Sequence, residues 1–287
     1  MSDGKCIDTL VIVGVGLIGG SIGLAVAQRK LARRIIGVGR RTSQLQIAER
    51  RGAITQSTTR VAEAAAEADF VVVCTPVGQI PDHVRDVAAA ARPGTIITDA
   101  GSTKGEIVRQ LEGQLPSQVR FVGSHPLAGG EASGPEAAQA DLLADRVVIV
   151  TPTDGDGDEL ARDARRRVCA FWESLGARVT SMSPTQHDAT LAATSHLPHF
   201  VASALASVLP SGSHSYVGDG WRDTTRIAAG NVELWMQILG QNRKHIVASM
   251  DEFAEVIAAL RQAIRDEDDE AVRRLLEVGK RNRDEAG

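Results

Sequence analysis

Three short stretches of this chain concentrate polar side chains able to move protons or grip anions. They are Asp99-Ala100-Gly101-Ser102-Thr103-Lys104-Gly105, Gly123-Ser124-His125-Pro126-Leu127-Ala128-Gly129-Gly130-Glu131 and Gly220-Trp221-Arg222-Asp223-Thr224-Thr225-Arg226. His125 is a candidate base, because neutral imidazole accepts protons near pH 7; a structural histidine at a strand end is the alternative. Ser102 reads as a hydroxyl that orients this imidazole or a substrate, or as the N-cap of the following helix. Arg226 can pin a substrate carboxylate through charge-assisted hydrogen bonds, or pair locally with Asp223. His196 and His199 lie three apart near His187, but no third ligand completes a zinc pattern such as His-Glu-x-x-His. No metal is therefore expected, and His199 reads as a substrate-pocket or packing residue.

These groups need a partner molecule, and the chain offers a place for one near its start. The apolar run Leu10-Val11-Ile12-Val13 leads into Gly14-Val15-Gly16-Leu17-Ile18-Gly19 and then an amphipathic helical pattern. Strand, glycine turn and helix in that order form a dinucleotide-binding fingerprint. Gly14 makes the turn, Gly16 lets backbone approach a pyrophosphate, Gly19 lets helix and strand pack, and the N–H groups around Leu17 and Ile18 hold the anion. In NAD-binding folds a carboxylate about 20 residues past the loop reads the ribose. Here Gly39 stands there, followed by Arg40 and Arg41, so the pattern favours NADP over NAD, since a guanidinium grips a 2′-phosphate that an acid repels. Thr75-Pro76 ends a later apolar run and is placed near the cofactor.

Strand-like runs recur at Arg34 to Val38, Phe70 to Cys74, Thr95 to Asp99, Arg120 to Gly123, Val147 to Thr151 and Arg178 to Ser181, with helical patterns between them. From Pro184 onward only helical periodicity remains, including Ile246, Met250, Phe253, Ile257, Leu260 and Ile264, with an acidic break at Asp266 to Glu270. The predicted fold is α/β: a Rossmann-type, mostly parallel sheet domain over 1–183, then an all-helical domain over 184–287 whose stripe must bury against itself or a second subunit. Asp154-Gly155-Asp156-Gly157-Asp158 resembles a calcium loop, but Glu159 and Arg165 occupy its required glycine and glutamate positions. A polar turn capping a helix from Asp158 to Leu175 is expected instead. A net charge of -4 supplies no basic field for nucleic acid. Three scattered cysteines fit reduced thiols, and the polar first ten residues do not read as a signal peptide. A cytoplasmic protein without membrane or nucleic-acid partners is expected.

Taken together, Gly14 to Gly19, Asp99 to Gly105, His125-Pro126-x-Ala128-Gly129, Ser195-His196-Leu197-Pro198-His199 and Arg222-Asp223-x-Thr225-Arg226 resemble, in order, the motifs of the prephenate and arogenate dehydrogenases of tyrosine biosynthesis. The resemblance implies oxidative decarboxylation of a cyclohexadiene with hydride transfer to NAD(P). It implies that His125 takes the ring-hydroxyl proton, Ser102 holds hydroxyl and nicotinamide in register, Arg226 binds the ring carboxylate, His199 lies near the side chain, and the helical domain forms dimers. His199 tilts the choice toward prephenate over arogenate. Two other readings stay open: a hydroxy-acid or imine dehydrogenase using Lys244, and a non-catalytic NADP-sensing protein.

Overall fold

The computed structural model describes residues 7–130, 132–152 and 158–286. The strands are β1 (Ile7–Val13), β2 (Ala32–Val38), β3 (Gln56–Thr58), β4 (Phe70–Val73), β5 (Ile96–Asp99), β6 (Arg120–Pro126), β7 (Val147–Thr151) and β8 (Arg178–Ser181). They form one sheet in the order β3-β2-β1-β4-β5-β6-β7-β8. The pairings from β3 through β6 are parallel, β7 runs antiparallel to β6, and β8 is parallel to β7. The order reverses between β1 and β4, so the glycine loop after β1 and the turn after β4 meet at a crevice at the strand ends.

Helices α1 (Leu17–Arg29), α2 (Thr42–Arg50), α3 (Val61–Ala65), α4 (Ile80–Ala90), α5 (Gly105–Leu111) and α6 (Glu159–Ser174) connect these strands. Strand residues alternate between faces, so Leu10, Ile12, Phe70 and Val72 join Trp172 in one buried cluster, and Val11, Val13, Val71 and Val73 join Ile80 and Ile107 in the other. Burial on both faces is why β1 and β4 read as unbroken apolar runs. The polar Gln56–Thr58 strand lacks that signature and was not expected, although it pairs with β2. The sixth strand runs past its expected end at Gly123 to Pro126, which puts His125 inside the ladder opposite Ile149. The expected cap at Asp158 is present: its carboxylate accepts the Ala161 N–H at 2.6 Å. The Asp154 to Gly157 part of that turn lies outside the described residues.

After β8 the chain is helical: α7 (Pro184–Leu191), a π-turn (Ala192–His196), α8 (Leu197–Ser207), α9 (Asp219–Thr225), α10 (Val232–Arg265) and α11 (Asp269–Ala286). Residue Asn242 has non-helical φ/ψ and kinks α10. Of the predicted stripe Ile246 is buried, whereas Ile257 is 46% and Ile264 is 61% exposed in the single chain. Among the described residues no helix is long and apolar enough to cross a membrane.

The glycine loop packs closely against the start of its own helix. A Cβ at residue 19 would lie 2.2 Å from the backbone oxygen of Gly14, which no side-chain motion relieves. Gly19→Ala is expected to cost at least ~1–3 kcal/mol in urea unfolding, and to weaken dinucleotide binding measured by fluorescence titration. Wild-type values for both would show that α1 can move away from β1.

Candidate active site

At the loop itself Gly14 adopts φ +95° and donates its N–H to Val38 O at 2.8 Å, closing the turn out of β1. The space where a Gly16 side chain would project is open, and no side chain caps α1 at Gly16. The first-turn amides of this 13-residue helix are therefore available to an anion, and a cradle that a Cβ would fill stands beside them. The turn after β4 closes the other side: a Cβ on Gly14 would meet Cys74 backbone at 2.8 Å and Thr75 Cγ2 at 3.0 Å. Thr75 Oγ1 shares a hydrogen bond with His83 Nδ1 at 3.1 Å, and Pro76 enters a single 3-10 turn, Val77–Gln79. Arg40 and the extended Arg41 follow β2 and are exposed. Gly14, Gly16, Gly19, Thr75 and Pro76 thus converge on one crevice.

His125 sits near the end of β6, held from below by a dense polar cluster. The preceding residue, Ser124, receives four fixings: its N–H donates to Asp99 Oδ1 at 3.0 Å, its hydroxyl donates to Asp99 O, Thr98 Oγ1 lies 2.7 Å from that hydroxyl, and Trp172 Nε1 donates to it at 3.0 Å. Asp99 also accepts the Gly101 N–H at 2.9 Å and pairs with the fully buried Lys104 ammonium. Burial pulls the Lys104 pKa down while Asp99 pushes it up, and burial wins.

The half-buried imidazole of His125 makes a contact that sequence reasoning missed. Its Nδ1 lies 2.9 Å from His187 Nε2, and His187 Nδ1 lies 2.8 Å from Asp188 Oδ1. Burial, the neighbouring His187 and the Lys104 charge hold His125 well below the ordinary histidine range. Burial likewise lowers His187, although Asp188 opposes it. Burial alone would raise Asp188, but hydrogen bonds from His187 and from the amides of Lys104 and Gly105 outweigh it and leave the carboxyl low. With Asp188 ionised and both rings neutral, the donors fall in one order. His187 gives Nδ1–H to Asp188, so its Nε2 accepts, so His125 gives Nδ1–H and keeps its Nε2 lone pair for an incoming proton.

Asp188 answers the question about Ser102 as well. Helix α5 begins at Gly105, and the Asp188 carboxylate caps it by accepting Lys104 N–H and Gly105 N–H at 2.8 Å each. Ser102 lies in the bend before it, half exposed, and is not that cap. His199, on α8, is 5% exposed and stacks on Trp235 with ring centroids 3.6 Å apart, and its Nδ1 has no hydrogen-bond partner among the described residues. Burial lowers its pKa. His196 turns elsewhere, toward Asn242 Nδ2 at 3.1 Å, with burial lowering its pKa to about 4. The two histidines share Trp235 as a ring neighbour, stacked on it at 3.6 Å for His199 and edge-on at 6.1 Å for His196. The exposed Arg226 opens a 3-10 turn that ends at Gly230, where a Cβ would stand 3.1 Å from His199 Cε1. This turn packs against α8, the helix that carries His199. Glu131 lies outside the described residues. The cue for His187 and Asp188 was slight: an imidazole and an acid adjacent in the first turn of a helix that starts Ser183-Pro184.

Comparison with known proteins covers nearly the whole chain. Residues 22–181 match the family model "Prephenate dehydrogenase, nucleotide-binding domain", and residues 183–278 match "Prephenate dehydrogenase, dimerization domain". Prephenate dehydrogenase of Bacillus subtilis is 33% identical over 284 residues, which is 96% of this chain and 76% of that one. Cyclohexadienyl dehydrogenase of Zymomonas mobilis is 33% identical over 90% of this chain and 89% of its own. The crystal structure of Aquifex aeolicus prephenate dehydrogenase with hydroxyphenyl propionate and NAD+ superposes with a TM-score of 0.89 at 32% identity, covering 98% of each chain. This chain belongs to the prephenate dehydrogenase family.

Proposed function

We propose that the protein is an NAD(P)-dependent prephenate dehydrogenase, converting prephenate to 4-hydroxyphenylpyruvate and CO2. The observation that carries this reading is the Asp188-His187-His125 chain, which ends in a basic Nε2 beside the dinucleotide crevice. Bound nicotinamide supplies the hydride acceptor. In this reading His125 takes the proton of the ring hydroxyl as C4 loses hydride; the bond to the ring carboxylate then breaks, its electrons complete the aromatic ring as CO2 leaves, and the C4 oxygen takes the proton back from His125 to give the phenol. The charge that appears on His125 is stabilised down the chain toward Asp188. Ser102 holds the hydroxyl, Arg226 binds the ring carboxylate, and His199, backed by Trp235, borders the substrate side chain. The leading alternative is arogenate as substrate, which the similar arogenate dehydrogenase of Synechocystis supports. A nicotinamide-absorbance assay crossing prephenate and arogenate with both cofactors decides between them.

Only neutral His125 can accept the proton, and its pKa lies below the ordinary 6.5. The rate should therefore be flat through neutral pH and fall only on acidification below that value. His125→Asn is expected to lose a factor of ~10² to 10⁴ in kcat with dinucleotide affinity retained. An acid limb centred above 6.5, or a His125→Asn rate equal to wild type, would remove His125 as the base.

For the cofactor we infer a preference for NADP, because exposed Arg40 and Arg41 follow Gly39 where an acid would otherwise read the ribose. The double change Arg40→Ala with Arg41→Ala should raise KM for NADP and spare NAD; equal effects on both would refute the inference. We place the domain division near residue 183, between β8 and α7, and propose a homodimer through the helical domain. Placing a charge on the exposed stripe with Ile257→Glu should yield a monomer by light scattering, and an unchanged mass would move the interface off this face. Cytoplasmic residence remains part of the same proposal.

A further inference from the structure

Helix α10 reaches across the crevice and inserts into the other domain. Ile238 is 3% exposed and packs in the same buried cluster as Val77, Ile80 and Ile107. On either side of this plug stand Gln237 and Gln241, one helical turn apart. Gln237 Oε1 accepts the Gly78 N–H at 3.1 Å. Gln241 uses both ends of its amide: Nε2 donates to Val77 O at 3.2 Å, and Oε1 accepts the Thr103 hydroxyl. Val77 and Gly78 belong to the turn that begins at Thr75-Pro76, and Thr103 adjoins Ser102. A primary amide suits this place because it offers a donor and an acceptor at fixed separation, one for each loop.

We propose that Gln237 and Gln241 form a latch between the helical domain and the two loops that flank the reacting centre, and that Gln241 is a positioning residue for hydride transfer. This role rests on the dehydrogenase reading above. The same half of α10 carries Trp235, which backs His199 at 3.6 Å. Any slip of α10 therefore moves the substrate wall relative to the cofactor turn. Hydride transfer is sensitive to such displacement, since ~1 Å of misplacement can cost ~10²-fold in rate.

The test uses the full-length protein. Gln241→Leu is expected to lower kcat by about tenfold or more, and to raise the primary deuterium isotope effect with C4-deuterated prephenate. Dinucleotide affinity should stay within about threefold of wild type. Thr103→Ser keeps the hydroxyl and should keep the rate. Thr103→Val combined with Gln241→Leu should be no slower than Gln241→Leu alone, because both remove the same bond. Independently of turnover, Gln237→Leu should speed hydrogen exchange at the Gly78 amide. The proposal is overturned by an unchanged kcat and isotope effect in Gln241→Leu. It is also overturned if activity, dinucleotide affinity and thermal midpoint all fall together, or if Gly78 exchange is unaltered. Wild-type protein inert toward both prephenate and arogenate would instead sink the dehydrogenase reading, and Gly78 exchange would still decide whether the latch exists.

Discussion

A single carboxylate, that of Asp188, joins parts of the chain that are far apart in sequence. Its oxygens accept the amides of Lys104 and Gly105 and face the imidazole of His187, all at 2.8 Å, while its backbone oxygen accepts Asn242 Nδ2 at 2.7 Å. A buried carboxylate demands such partners, because an unpaired one would carry a desolvation cost of several kcal/mol. The side chain is 5% exposed, so water cannot substitute for the missing donors. Satisfying Asp188 therefore docks α7 on the start of α5 and orients His187. That imidazole in turn presents Nε2 to His125, so the geometry of the candidate base follows from an electrostatic requirement two residues away.

Beneath this chain lies a second buried charge pair, Asp99 with Lys104, both 0% exposed in their side chains. Such a pair is weak grounds for stability, because desolvation offsets most of its Coulomb attraction. Its effect here is geometric and electrostatic. The carboxylate fixes Ser124 and Gly101 through their amides, which pins β6 immediately before His125. The ammonium opposes protonation of both His125 and His187. Burial, this positive charge and the neighbouring His187 all act in the same direction on His125. At rest Asp188 is ionised and both imidazoles are neutral, the state in which the proposed base can take a proton.

The nucleotide-binding half was legible because its rules are local. Gly14 needs φ +95°, Gly19 must clear a backbone oxygen, and β1 and β4 are apolar on both faces; each requirement writes a residue type into a short window. What was not legible depends on long-range contact. Nothing in Ser183-Pro184-Thr185-Gln186-His187-Asp188 reveals that its acid will cap a helix more than 80 residues earlier, and so Ser102 looked as suitable a cap. The π-turn at Ala192–His196 has no distinct periodicity, yet it sets which way His196 and His199 diverge. His125 was found from its neighbours in the chain, but its partner was not, because the two are 62 residues apart.

The stripe on α10 shows that periodicity alone does not say which neighbour buries an apolar face. Read as one straight helix, its apolar residues belong to one face, and a helix of 34 residues spans about 50 Å. The kink at Asn242 divides that face. The half before it gives Ile238 to the core of the nucleotide-binding domain, and the half after it leaves Ile257 and Ile264 uncovered by their own chain. Asn242 is buried and bonds the backbone of Asp188, so the kink is held by the residue that also orients His187. The two halves consequently answer to different neighbours while sharing one pivot. Any partner that covers the distal stripe presses on an element whose proximal end carries Trp235, Gln237 and Gln241. The exposed distal face and the residues Trp235, Gln237 and Gln241 thus lie on one helix, on opposite sides of the kink at Asn242.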